Sequence, residues 1–116
     1  MDKQGKVWGS TTTILARPHL SIHLLRIKEG GYSSQHRHQR KANRFHVVEG
    51  TLTVKTWPDR PNTRPDVTTL EAGEEMTIEP GRWHQFEAEE PTVAIEICEA
   101  AHLEEDIERR SKGGHG

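Results

Sequence analysis

A single cysteine, Cys98, occurs in the 116 residues. One thiol cannot build an internal disulfide framework, so a reducing compartment is expected. Apolar residues are also scarce, at 31% of the chain. No run approaches the ~20 apolar residues of a membrane-spanning helix. The first ten residues lack the apolar core of a secretory leader. Together these absences lead to the expectation of a cytoplasmic protein. Net charge is nearly missing too, since 16 Lys/Arg against 18 Asp/Glu leave −2. That total gives no reason to expect nucleic acid or a membrane surface as a partner.

What charge there is lies unevenly. Residues 1–64 carry twelve Lys/Arg against four Asp/Glu, and residues 65–116 carry four against fourteen. A fold that interleaves the two halves lets these charges meet. The length allows one domain, 1–116, with a core over about 7–110 and a flexible tail at 111–116. So little apolar side chain favours a barrel or a homodimer, which leaves fewer exposed sheet edges.

Turn signals are frequent and the apolar runs between them are short, the pattern of an all-β sandwich or barrel. Strands are expected at 12–16, 21–28, 33–36, 44–48, 51–57, 67–70, 75–78, 84–88 and 92–98. Gly30-Gly31, Glu49-Gly50, Glu71-Ala72-Gly73 and Pro80-Gly81 punctuate them. Within 51–57, Leu52 and Val54 fall on one face, and Thr51, Thr53 and Lys55 on the other. The segment 58–65, with three prolines, reads as a loop joining the two halves of the barrel. Only 103–110 reads as helix: Glu104, Glu105 and Asp106 open it, and Arg109 and Arg110 close it, the order that suits a helix dipole.

Eight histidines are present. His36 and His38 form an H-x-H pair in an extended segment, and alternation along a strand turns both imidazoles to one face. A third ligand from another strand completes a facial metal site. His84, entering a strand from the Pro80-Gly81 turn, is the natural third. His46 falls out of phase with Asn43 and Phe45 and should face away. His23 and His102 are within reach of a barrel mouth but read first as structural or solvated.

The wider spacing resembles the cupin motifs. Gly30, His36-x-His38, position 43 and Gly50 fall in the register of the first motif, with Asn43 where the family carries a glutamate. Gly73, Pro80-Gly81 and His84 follow the second, with Ala88 in place of its asparagine. This resemblance implies an all-β cupin jelly-roll, a double-stranded β-barrel, here with a short C-terminal helix. It also implies one divalent metal ion (zinc first, with manganese, iron or nickel as alternatives) on His36, His38, Asn43 and His84.

From about residue 7 to residue 110 the chain is further similar to one cupin family. This is the C-terminal phosphomannose isomerase domain of the bifunctional mannose-1-phosphate guanylyltransferases. Val7-Trp8-Gly9, Ser34-Gln35, Val47-Val48-Glu49-Gly50, the run from Ile78 to His84, and Ile95-Glu96-Ile97 followed by His102-Leu103-Glu104-Glu105-Asp106-Ile107 carry that likeness. It implies aldose–ketose isomerisation of an anionic sugar, with Glu96 as the base and Arg40 and Lys41, beside Arg37 and Arg44, as phosphate-holding cations. The chain departs from the family at Asn43, at His23 where the family has lysine, and at Gln85 where it has arginine. Two other readings stand beside the isomerase: a three-histidine iron dioxygenase, and a non-catalytic cupin that binds a sugar or another small ligand.

Overall fold

Two antiparallel sheets face each other across one apolar core in the computed structural model, which describes residues 3–57, 64–100, 108–109, 111 and 113–115. The strands are β1 (Lys3–Lys6), β2 (Gly9–Ala16), β3 (Leu20–Ile27), β4 (Gly31–Tyr32), β5 (His36–Arg37), β6 (Ala42–Glu49), β7 (Thr51–Trp57), β8 (Asp66–Glu71), β9 (Glu75–Ile78), β10 (Trp83–Glu87), β11 (Thr92–Glu99), β12 (Glu108–Arg109) and β13 (Gly114–His115). The first sheet runs β1-β2-β3-β11-β6-β9. In the second, β10 pairs β7 on one side, and β7 pairs β8. Along the other side of β10 lie β5 and then β4, extended by β12 and β13. This is the all-β architecture that the turn pattern predicts, in the jelly-roll form that the motif resemblance implies.

Alternation places the core. Phe45 and Val47 from β6, Leu52 and Val54 from β7, Leu25 and Ile27 from β3, and Ala94 from β11 all point inward and are buried. Each large aliphatic side chain so enclosed contributes about 1.5–3 kcal/mol of transfer free energy. Phe86 joins them, edge-on to Trp8 at 5.0 Å and to Phe45 at 5.9 Å.

The chain changes sheet at glycines. Gly50 is the single residue between β6 and β7, with φ +85°, and a Cβ there would sit 2.6 Å from the Pro91 carbonyl oxygen. Only glycine takes that conformation without strain or collision. Gly81, at φ +84°, turns β9 into β10, and its N–H donates to the His38 carbonyl at 2.6 Å. That bond ties the turn before His84 to the segment that carries His38.

Three local expectations change. Of the strand expected at 33–36 only His36 lies in a strand; residues 33–35 separate β4 from β5, and the Ser33 hydroxyl there accepts the Phe86 N–H at 3.0 Å, occupying a ladder position with a side chain. Of the helix expected at 103–110, residues 103–107 and 110 lie outside the described residues. The described part, Glu108–Arg109, is extended and pairs with Arg37 and His36. A backbone ladder on the open edge of β5 here prevails over the helical charge order. The tail is tied down at its described points: Gly114–His115 pairs with β4, and the Gln35 N–H donates to Ser111 Oγ at 2.9 Å. The segment 58–63 also falls outside the described residues.

The oppositely charged halves do interleave. Arg44 meets Glu75 at 3.7 Å and Lys55 meets Glu87 at 3.4 Å. Both pairs are solvent-accessible, so each is worth at most about 1 kcal/mol.

Candidate metal centre

The site begins with one register position: His36 on β5 stands directly opposite His84 on β10. Their rings lie 4.3 Å apart, centroid to centroid. His38, two residues beyond His36, turns to the same side, 5.2 Å from His36 and 5.8 Å from His84. One nitrogen from each ring falls within 4.8 Å of the other two. Two metal–nitrogen bonds of about 2 Å span at most ~4 Å, so the three rings would draw slightly closer to share one ion.

Backbone carbonyls set the tautomers. His84 Nδ1 donates to the Arg82 carbonyl at 3.0 Å, and His36 Nδ1 donates to the Ser34 carbonyl at 2.8 Å. Each ring therefore keeps its Nε2 as a lone-pair donor, the arrangement that metal-binding histidines use. His84 is 1% exposed, and its Nε2 has no hydrogen-bond partner among the described residues. A buried acceptor of this kind is costly unless something binds it.

Electrostatics point the same way. Burial pushes the His84 imidazolium pKa down to about 3, with the neighbouring His36 adding to the effect. His36 is also lowered, first by burial. Neutral imidazoles packed this closely can accept a cation without displacing protons. The donor set fits a divalent metal.

Facing this cluster across the barrel is a polar wall on the first sheet. The Asn43 amide nitrogen donates to Glu96 Oε2 at 2.7 Å and lies 3.6 Å from Cys98 Sγ. A carboxylate only accepts, so the amide must present its NH₂ to Glu96. Asn43 therefore has only its oxygen left to offer a metal. Cys98 is buried, and that burial pushes its thiol up to about 12, so it stays a packed thiol. His23 lies opposite Glu96 in the β3–β11 ladder. Its ring nitrogens lie 3.1 Å from Thr13 Oγ1 and 2.9 Å from Ser21 Oγ, and burial lowers its pKa.

Between the two walls opens a cavity of about 620 Å³, lined in part by His36, His38, His23, Glu96 and Lys41. Glu96 thus turns inward, as a base would need. Of the expected cations, only Lys41 lines the cavity. Arg40 is exposed and outside it. The Arg37 guanidinium stacks 4.9 Å over Trp83, and Arg44 sits on the outer face beside Glu75. Two cations missed at the level of sequence, Lys6 and Arg109, line the cavity instead. They come from the first and twelfth strands, and only the tertiary pairing brings those to the mouth. His23 carried a usable signal, since it alternates in phase with the inward Leu25 and Ile27. His46 lies out of phase with the buried Phe45 and Val47, as expected. His102 lies outside the described residues.

The chain belongs to the cupin family: the profile of the cupin domain matches residues 23–98. Among solved structures it is similar to KdgF from a Halomonas species, at 18% identity and a TM-score of 0.75, over 88% of each chain. Oxalate decarboxylase from Bacillus subtilis is similar at 16% identity and a TM-score of 0.79, over 93% of this chain. The match spans only 29% of that longer chain. An uncharacterized conserved protein with a double-stranded β-helix domain from Klebsiella pneumoniae matches at 17% identity and a TM-score of 0.70, covering 86% of this chain and 77% of that one. No curated protein sequence matches. The likeness to the phosphomannose isomerase domain rests on the motifs alone. No helix among the described residues is long and apolar enough to cross a membrane.

Proposed function

We propose that the chain is a metal-dependent cupin enzyme that isomerises a small anionic sugar, in the manner of an aldose–ketose isomerase. The observation that carries this reading is a single cavity with His36 and His38 on one wall, backed by the buried His84 clustered with them, and the Asn43-held Glu96 carboxylate on the other. A divalent ion on His36, His38 and His84, zinc before manganese, iron or nickel, supplies polarisation of a substrate carbonyl. Glu96 takes the proton from the carbon beside that carbonyl and returns it to the adjacent carbon. Asn43 keeps the accepting oxygen of Glu96 in place. Lys41, with Lys6 and Arg109, holds the anionic end of the substrate, and Arg40 has no part in it. Oxalate decarboxylase is named for a small dianion, which supports an anionic ligand for this barrel shape.

One observation favours a second reading. The clustered metal ligands are three histidines with no carboxylate among them, a set that suits ferrous iron and an oxygenase. A third, non-catalytic reading keeps the cavity as a sugar-binding site. Turnover of mannose 6-phosphate by protein loaded separately with zinc, manganese and iron tests the first. Turnover with any of them supports it, and none with all three rejects it for this substrate class. Oxygen uptake by the iron-loaded chain selects the second.

A further inference from the structure

The described C-terminal residues lie along one edge, that of β4 and β5. Glu108 and Arg109 pair with Arg37 and His36, and Gly114 and His115 pair with Tyr32 and Gly31. Between these two pairings Ser111 Oγ accepts the Gln35 N–H at 2.9 Å. Gly113 lies flush against the chain beneath it. A Cβ there would sit 2.9 Å from the Tyr32 carbonyl oxygen and 3.1 Å from the Ser34 nitrogen, backbone atoms that cannot swing aside. The glycine shapes this strap to its edge.

The strap is fastened without apolar burial. None of its described residues belongs to the apolar core, so edge pairing and hydrogen bonds hold it. Segments of this kind open locally at a fraction of the free energy of global unfolding. The strap is nevertheless part of the cavity wall, since Arg109 and Gly113 both line it. Arg109 itself is exposed.

Charge decides how firmly the strap docks. Lys6, Lys41 and Arg109 line the cavity against one carboxylate, Glu96, among the described residues. The cavity holds about 620 Å³. It is therefore about 10 Å across, no wider than a Debye length at ~0.1 M salt, so its cations act on one another. Docking brings Arg109 into a space that is already cationic. An anion placed among the three turns that repulsion into attraction. A ligand that binds the docked state better shifts the population toward it.

We propose that this strap is an anion-dependent closure of the cavity, docked on β4 and β5 when an anion lies between Arg109 and Lys41 and loosened when none does. Docking also holds His36, the register partner of Arg109, opposite His84. This closure rests on the anion-holding role proposed above for Arg109, and it gives that site its regulation.

Amide hydrogen exchange of the full chain, read residue by residue by NMR with and without inorganic phosphate, tests it beside calorimetric titration with phosphate. In the wild type the Gln35 amide is expected to exchange at least about 10-fold more slowly at saturating phosphate. Amides of β8, an edge strand that does not line the cavity, should be unchanged. Arg109→Gln keeps the backbone pairing and is expected to abolish the slowing. Gly113→Val cannot seat the strap, so its Gln35 amide should exchange fast at every phosphate concentration. Circular dichroism checks that both variants keep the barrel. Phosphate that binds the wild type without slowing Gln35 overturns the closure and leaves the anion-holding role standing. Slowing that persists in Arg109→Gln also overturns it. Absence of phosphate binding removes the anion-holding role and the closure together.

Discussion

Asn43 on β6 donates its side-chain N–H to Glu96 Oε2 on β11 at 2.7 Å, although its own register partner is Cys98. The bond runs diagonally between neighbouring strands and joins a 1% exposed amide to the only carboxylate that lines the cavity among the described residues. Where the cupin motif has a metal-ligand glutamate, this chain has a donor that holds a carboxylate from the next strand.

Replacing that donor with an acid sets two carboxylates against each other. Asn43→Asp is expected to cost about 2–3 kcal/mol at pH 8, the range for losing a charge-assisted hydrogen bond in a buried setting. Repulsion raises the shared carboxyl pKa in the folded state, so the penalty should shrink as pH falls toward 4.5 and one proton is shared. Urea midpoints of variant and wild type at the two pH values check this. A penalty equal at both would leave the bond without the assigned role.

The buried histidines make the metal-free protein acid-sensitive. His84 sits near 3 in the fold and near 6.5 when unfolded, and His36 is lowered in the same direction. Between those values the unfolded chain binds more protons, so stability must rise with pH across that window and fall on acidification below about 6.5. His84 alone accounts for a change on the order of 5 kcal/mol over the whole window. Thermal melts of chelator-treated protein at pH 7, 6 and 5 should show a falling Tm, with a shallower fall in His84→Asn.

Lys41 lines the cavity and Arg40 does not, so the two cations should separate cleanly. Lys41→Gln is expected to weaken binding of mannose 6-phosphate about 10-fold, equivalent to ~1.4 kcal/mol. Arg40→Gln should stay within about twofold. Calorimetric titration of the zinc-loaded variants reads both. Equal effects would remove Lys41 from the anion-holding role.

Much of this arrangement is legible in the sequence, and the rest fails for definite reasons. The barrel follows from short strands between glycine turns. The three histidines follow from motif spacing, because local strand periodicity decides which way His36 and His38 point. The Asn43–Glu96 bond is not legible, since it depends on the relative register of strands 53 residues apart. Lys6 and Arg109 escape for the same reason: their short strands exist only as additions to sheet edges formed elsewhere in the chain. The dipole-ordered charges of 103–110 illustrate the converse. Local propensity suggests helix, yet at Glu108–Arg109 the open edge of β5 supplies hydrogen bonds that a frayed helix end cannot match.

Whether His36, His38 and His84 hold a divalent metal is read by elemental analysis of untagged protein purified without chelator. About one divalent ion per chain is expected. That ion should be lost in a His84→Ala variant that keeps its β-sheet circular dichroism. Wild-type protein without metal that also fails to take up zinc, manganese, iron or nickel in dialysis would contradict that assignment. Full metal content in folded His84→Ala would do the same.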